Sequence, residues 1–188
     1  MQPTCNIAFK EWAAVCEALA SGRQTIILRK GGIREEFKVR VAAAQGFWLY
    51  PTNFHQQAED LTRDADVFME RAAARMPPLG QVGIRLFAEL CWFVELTTEQ
   101  SALRLANWHI WSEATVRKRF AYRQPGLFLL GVRAFSLRDS IFVPESAQMA
   151  GCRSWVTLLN PISTQGLEPV LADSLFLAQA KTIHAALA

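Results

Sequence analysis

The chain has 188 residues; half of it is apolar (51%) and a fifth is charged (20%). Lys and Arg number 20 against 17 Asp and Glu, which leaves a formal charge of only +3. A chain of this kind fits one domain, residues 1–188, that buries about 70% of its unfolded surface, and intrinsic disorder is excluded.

Phe9, Trp12, Val15, Cys16 and Leu19 recur at three- and four-residue steps. That spacing predicts an amphipathic helix over 7–20, stopped by Gly22. Gln24 to Lys30 reads as a strand turned by Gly31-Gly32, and further strands are predicted over 36–41 and 46–50, the last closed by Pro51. With the first strand they form a three-strand meander. A helical segment, 56–76, is then inserted between strands, with Ala58, Leu61, Ala65, Phe68 and Ala72 on one face. Over 84–96 every even position is apolar, the period of a strand with one buried face. Thr97 or Thr98 caps a short helix to about 106, with Gln100 placed for a capping box, and Ser112 caps another over 113–120. An apolar strand over 127–137, a short strand at 155–159 and a final helix from Asp173 to Leu187 complete the pattern.

These elements predict an α+β domain of about six mostly antiparallel strands with peripheral helices. Strands this apolar on both faces point to a closed β-barrel. The opening residues, Met1-Gln2-Pro3-Thr4, lack the basic and apolar regions of a signal peptide. The longest uncharged stretch, 41–58, is broken by Gln45, Pro51, Asn53 and His55, so no membrane association is expected. Cys5, Cys16, Cys91 and Cys152 stand far apart without a C-x-x-C pair, which suits a reducing cytoplasm. The three His residues are isolated, and no metal or other cofactor is expected.

Six stretches together resemble an uncharacterised bacterial family, the domain of unknown function 1802. In the first half they are Phe9-Lys10-Glu11-Trp12, Leu28-Arg29-Lys30-Gly31-Gly32-Ile33 with Glu35, and Leu49-Tyr50-Pro51-Thr52 with His55-Gln56. The second half adds His109-Ile110-Trp111, Arg119-Phe120 and Gly151-Cys152-Arg153-Ser154-Trp155. The family has no assigned activity, and its members are in some cases joined to restriction-type endonuclease domains. By analogy the resemblance implies a link to restriction or defence, with a nuclease as partner.

A more distant resemblance is to the ASCH group of PUA-like barrels. Ser21-Gly22-Arg23-Gln24-Thr25-Ile26-Ile27-Leu28-Arg29 is similar to their opening G-x-K-x-x-E-x-R signature, and the run from Leu130-Gly131 through Pro144 to Trp155 is similar to their closing strands. It implies a PUA-like barrel that binds RNA or modified bases. Gly22, Thr25 and Arg29 fit the signature, whereas Gln24 and Ile27 replace its Lys and Glu, so the amidohydrolase chemistry of some such barrels is not carried over.

Although the net charge is small, bases gather at Arg29-Lys30, at Arg117-Lys118-Arg119 with Arg123, and at Arg153, while acids concentrate over 59–70. Such segregation gives a basic face on a nearly neutral body. Arg29, Lys30, Arg119 and Arg153 are candidate phosphate contacts. His55, His109, Trp111 and Ser154 are candidate walls of a pocket for a base. The expected function is thus a cytoplasmic nucleic-acid-binding module, for RNA or modified DNA, with no catalytic residues assigned.

Three other readings stay open. Glu36-Phe37-Lys38 matches the E-x-K of PD-(D/E)-x-K nucleases, but that metal chemistry needs a second acid, which Glu11 would have to supply. Cys152 would be a nucleophile if His55 or His109 reached it. A Trp-rich surface would make the chain a non-catalytic protein-interaction module.

Overall fold

A computed structural model describes residues 2–30, 46–53, 56–149, 151 and 153–187. The chain begins with a strand, β1 (Thr4–Trp12), and only then enters a helix, α1 (Ala13–Ala20). The expected helix over 7–20 is therefore half strand. Ala8 and Phe9 go to two different cores, because β1 lies between two other strands and is packed on both faces. Its apolar residues mimic helical spacing because neither face is left for water.

β2 (Ile26–Arg29) and β3 (Phe47–Thr52) follow, and β3 runs through Pro51 rather than ending at it. The predicted Gly31-Gly32 turn and the strand over 36–41 lie outside the described residues. Two 3-10 turns, Ala58–Asp60 and Arg63–Ala65, precede α2 (Asp66–Ala74), so the expected 56–76 helix forms only in its second half. The first half is instead pinned to the loop before the Ser112 helix, where the Thr62 amide donates to the Ile110 carbonyl at 2.9 Å.

β4 (Gln81–Leu96), α3 (Glu99–Leu103), α4 (Glu113–Ala121), β5 (Leu127–Pro144), β6 (Trp155–Ser163), β7 (Glu168–Pro169) and α5 (Asp173–Leu187) complete the chain. The caps act as expected: Thr98 Oγ1 accepts from the Ser101 amide at 3.2 Å, and Ser112 Oγ from the Thr115 amide at 3.3 Å.

The seven strands form one mixed sheet in the order β2-β5-β4-β3-β1-β6, with β7 beside β5. β1 and β3 are parallel, and the other pairs are antiparallel. β2 pairs with β5, and the middle strand of the expected meander, 36–41, lies outside the described residues. Among the described residues the sheet is open: its path ends at β2 and β6, and the expected closed barrel is not seen there.

Two separate cores explain why the strands are apolar on both faces without closure. On one face α1 to α5 and the strands enclose Phe9, Val15, Ile26, Leu49, Leu86, Leu105, Phe120 and Ile183. On the other, Trp48, Ile84, Phe87, Val156 and Ile162 form a smaller cluster. β4 serves both. Ile84 and Leu86 share parity yet face opposite cores, because the ladder shifts register between them. There one residue of β4 stands opposite four of β5, and an irregularity of this kind re-aims the side chains on either side of it.

Candidate functional site

The parallel pair β1 and β3 and the edge strand β2 all point their C-terminal ends at one open cleft. β1 supplies Lys10, Glu11 and Trp12; β2 and its end supply Arg29 and Lys30; β3 supplies Tyr50 and Thr52. Trp111, the α4 residue Arg119, and Tyr122 with Arg123 form the opposite wall. Glu145, Ser146, Met149, Gly151, Arg153 and Ser154 close the remaining side. The cavity measures about 670 Å³, within the range of small-molecule and nucleotide sites. Six basic side chains face two carboxylates, so its potential is positive.

Not all of these cations are equivalent. The Lys30 ammonium donates to the carbonyls of Phe120 at 3.0 Å and Gly126 at 2.8 Å, and to that of Gln124. It fastens the turn that follows α4, and its desolvation pulls its pKa below the usual lysine value. Lys10 is held similarly by the carbonyls of Met149 and, at 3.2 Å, Gly151, with its ammonium 5.3 Å from the Tyr50 ring centroid.

The Arg29 guanidinium donates to Ser154 Oγ and, at 3.3 Å, to the Lys10 carbonyl, and lies over the Phe9 ring. It braces the strand ends against the 145–154 segment. By contrast, the Arg119 guanidinium has no hydrogen bond among the described residues and lies over two rings, with its carbon 5.2 Å from Trp12 and 5.6 Å from Trp111. Arg153 is exposed at the rim. These two present charge to an incoming anion.

Glu11 is the unusual member. Its side chain is 4% exposed, at the floor of a basic cleft. Oε1 accepts from the Trp12 amide at 2.8 Å; Oε2 has no hydrogen bond and lies 3.9 Å from Arg29 Nη1. Burial pushes its pKa above the ordinary carboxylate value, against the opposing pull of Arg29, the Trp12 amide and Arg119. Across the cleft the Tyr50 hydroxyl donates to Glu145 Oε1 at 3.0 Å, and burial with that carboxylate raises its pKa, so it stays protonated.

Of the sequence-predicted site residues, Arg29, Lys30, Trp111, Arg119, Arg153 and Ser154 line this cleft together. His55 lies outside the described residues. His109 does not reach the cleft: it is 2% exposed, and its Nδ1 accepts from the Trp111 amide at 3.1 Å. Burial, reinforced by Arg23, lowers its pKa to about 4, so it is a neutral core residue that orders the turn into Trp111.

Sequence reasoning missed Glu11, Trp12, Tyr50 and Tyr122 as cleft residues. Reading 7–20 as a helix places Glu11 on its solvated face; Trp12 is in the core, as that spacing expects, and lines the cleft as well. The Lys10-Glu11-Trp12 run, a charge pair directly before an indole at a strand end, is the signal that would have found them.

Of the alternative readings, Glu36, Lys38 and Cys152 lie outside the described residues. Among the described residues no group of three or more His, Cys, Asp or Glu side chains comes together for a metal ion. No Trp is exposed: Trp12, Trp48, Trp111 and Trp155 are buried, the last against Phe9 and Phe47 at centroid distances of 4.7 and 5.0 Å. Among the described residues no helix is long and apolar enough to cross a membrane.

No curated protein matches the chain. Among solved structures, a point variant of the ASCH protein from Zymomonas mobilis is 15% identical, covers 97% of this chain and 99% of that one, and has a TM-score of 0.43. The ASCH crystal structure from Zymomonas mobilis is also 15% identical, covers 93% of each chain and has a TM-score of 0.43. The family model described as a domain of unknown function (DUF1802) matches residues 8–182, almost the whole chain with its cleft, and the chain belongs to that family.

Proposed function

We propose that the chain is a nucleic-acid-binding module that seats one nucleotide unit of a single strand in the cleft between the ends of β1, β2 and β3 and the wall made by α4. The observation that carries this reading is the convergence of six basic side chains on one open cavity with aromatic walls. Backbone phosphates supply most of the affinity of such proteins, and a flat ring beside them gives a base somewhere to lie. Tyr122, 54% exposed and covered on one side by the Arg123 guanidinium at 5.1 Å, is the ring open to a base. Trp12 and Trp111 face each other at 5.7 Å and are almost covered, so they serve as backing for Arg119 rather than as stacking platforms.

The test is salt-dependent binding of single-stranded DNA and RNA oligonucleotides. Arg119→Ala and Arg153→Ala each lower the log–log salt slope by about one unit. Wild-type affinity that is absent, or indifferent to both substitutions, overturns the reading.

A further inference from the structure

The carboxylate at the floor of the cleft is hard to reconcile with a site for phosphate alone. An anion seated over Glu11 would be repelled by it, and a structural ion pair would satisfy both carboxylate oxygens. Here the Glu11 side chain lines the cleft; its Oε2 is enclosed and accepts no hydrogen bond, while Oε1 is already engaged by the Trp12 amide. A buried acceptor without a donor costs free energy that a ligand N–H would recover. The exposed cations stand elsewhere, at the rim, with Arg153 on one side and Arg123 beside Tyr122 on the other.

We propose that Glu11 is the specificity residue of this cleft, its Oε2 accepting from the exocyclic amino group of a cytosine or adenine whose phosphate rests on the rim arginines. The inference rests on the nucleotide-binding reading above and adds the class of base. A carboxylate accepts from an amino group and repels a carbonyl oxygen at the same position, which disfavours uracil and thymine. The shared chemistry, an amino-bearing base with a phosphate, comes from a polynucleotide or from a free nucleotide.

The experiment measures binding of oligo-C, oligo-A and oligo-U of equal length at pH 8, to wild type and to Glu11→Gln. Wild type is expected to prefer oligo-C or oligo-A over oligo-U by at least about tenfold, the worth of one hydrogen bond to a charged group. Glu11→Gln, whose amide can also donate to a carbonyl, brings that ratio close to one. A second measurement uses wild type alone: cytidine and adenosine monophosphates compete for the site more strongly than uridine monophosphate. Competition by oligomers but not by monophosphates assigns the site to a polynucleotide and supports the inference in that form. Equal binding of all three oligonucleotides overturns it and leaves the nucleic-acid-binding reading standing. Binding of none overturns both.

Discussion

The Glu11 carboxylate lies 3.9 Å from the Arg29 guanidinium, and this one ion pair joins the ends of two strands that are not neighbours in the sheet. Among the described strands β1 sits next to β3 and β6, whereas β2 sits at the other end of the order beside β5. The pair, together with the Arg29 bond to Ser154, spans the mouth between them and sets the width of the cleft.

Truncating Arg29 should cost more stability than truncating Arg119, although both line the same cavity. Arg29→Ala leaves Glu11 buried without its closest opposite charge and removes the bonds to Ser154 and the Lys10 carbonyl. Breaking a buried pair in this way costs about 3–5 kcal/mol. Arg119 lies over two indole faces without a hydrogen bond among the described residues, a contact worth about 0.5–1 kcal/mol at a half-exposed site. Urea denaturation of the two variants separates these values, and equal midpoints would show that Arg29 does not brace the cleft.

Glu11→Gln should change how stability depends on pH. The folded state holds the Glu11 proton more tightly than the unfolded chain does, because burial raises its pKa. Stability contributed through this group is therefore gained as pH falls through the folded value and is lost as pH rises. The neutral amide has no such dependence. As pH falls from neutrality toward the ordinary carboxylate value of 4.5, the wild type should gain stability relative to Glu11→Gln in thermal melts. A constant difference between the two would mean that Arg29 and Arg119 fully offset the burial of the carboxylate.

How much of this was legible in the sequence follows from what each segment borders. β4, α4 and α5 carry their own signals, in alternation over many residues or in a Ser cap, and lie nearly where the sequence places them, whereas β5 starts where expected but runs on to Pro144. β1 was not, because a strand buried on both faces loses its period of two and Phe9, Trp12, Val15 and Leu19 then fit a helix. Closure was inferred from two-sided apolarity, but two separate cores produce the same pattern in an open sheet. The cleft cations were legible because basic clusters at turns and strand ends survive any choice of fold. The carboxylate among them was not, since its burial comes from a parallel pairing of β1 with β3 across some 40 residues of intervening chain.

Gly131 leaves no room for a side chain. It stands on β5 between Ile26 of β2 and Trp92 of β4, and a Cβ built there would overlap the Trp92 indole ring system. Trp92 in turn packs on the C-terminal helix through His184, with ring centroids 4.6 Å apart. Gly131→Ala must displace the indole, and overpacking of this kind costs about 1–3 kcal/mol. The expected readout is a lower urea midpoint with altered Trp fluorescence, and an unchanged midpoint would mean that the indole has room to move.

His109 should make the protein acid-sensitive in the sense opposite to Glu11. The ring is buried and its pKa falls to about 4 from an ordinary value of 6.5. Below pH 6.5 the unfolded chain takes up a proton that the folded chain refuses until about pH 4, so stability falls as pH falls through that window. The whole effect amounts to about 3 kcal/mol. His109→Asn keeps a side-chain acceptor for the Trp111 amide while removing the titration, so its stability should decline less than that of wild type between pH 7 and pH 4. Parallel pH profiles for the two proteins would show that the imidazole is charged, or accessible to protons, in the folded state. Combining Glu11→Gln with His109→Asn then serves as a control. The two sites contribute with opposite sign, so the double variant, which keeps neither titration, should show a flatter pH profile than His109→Asn alone.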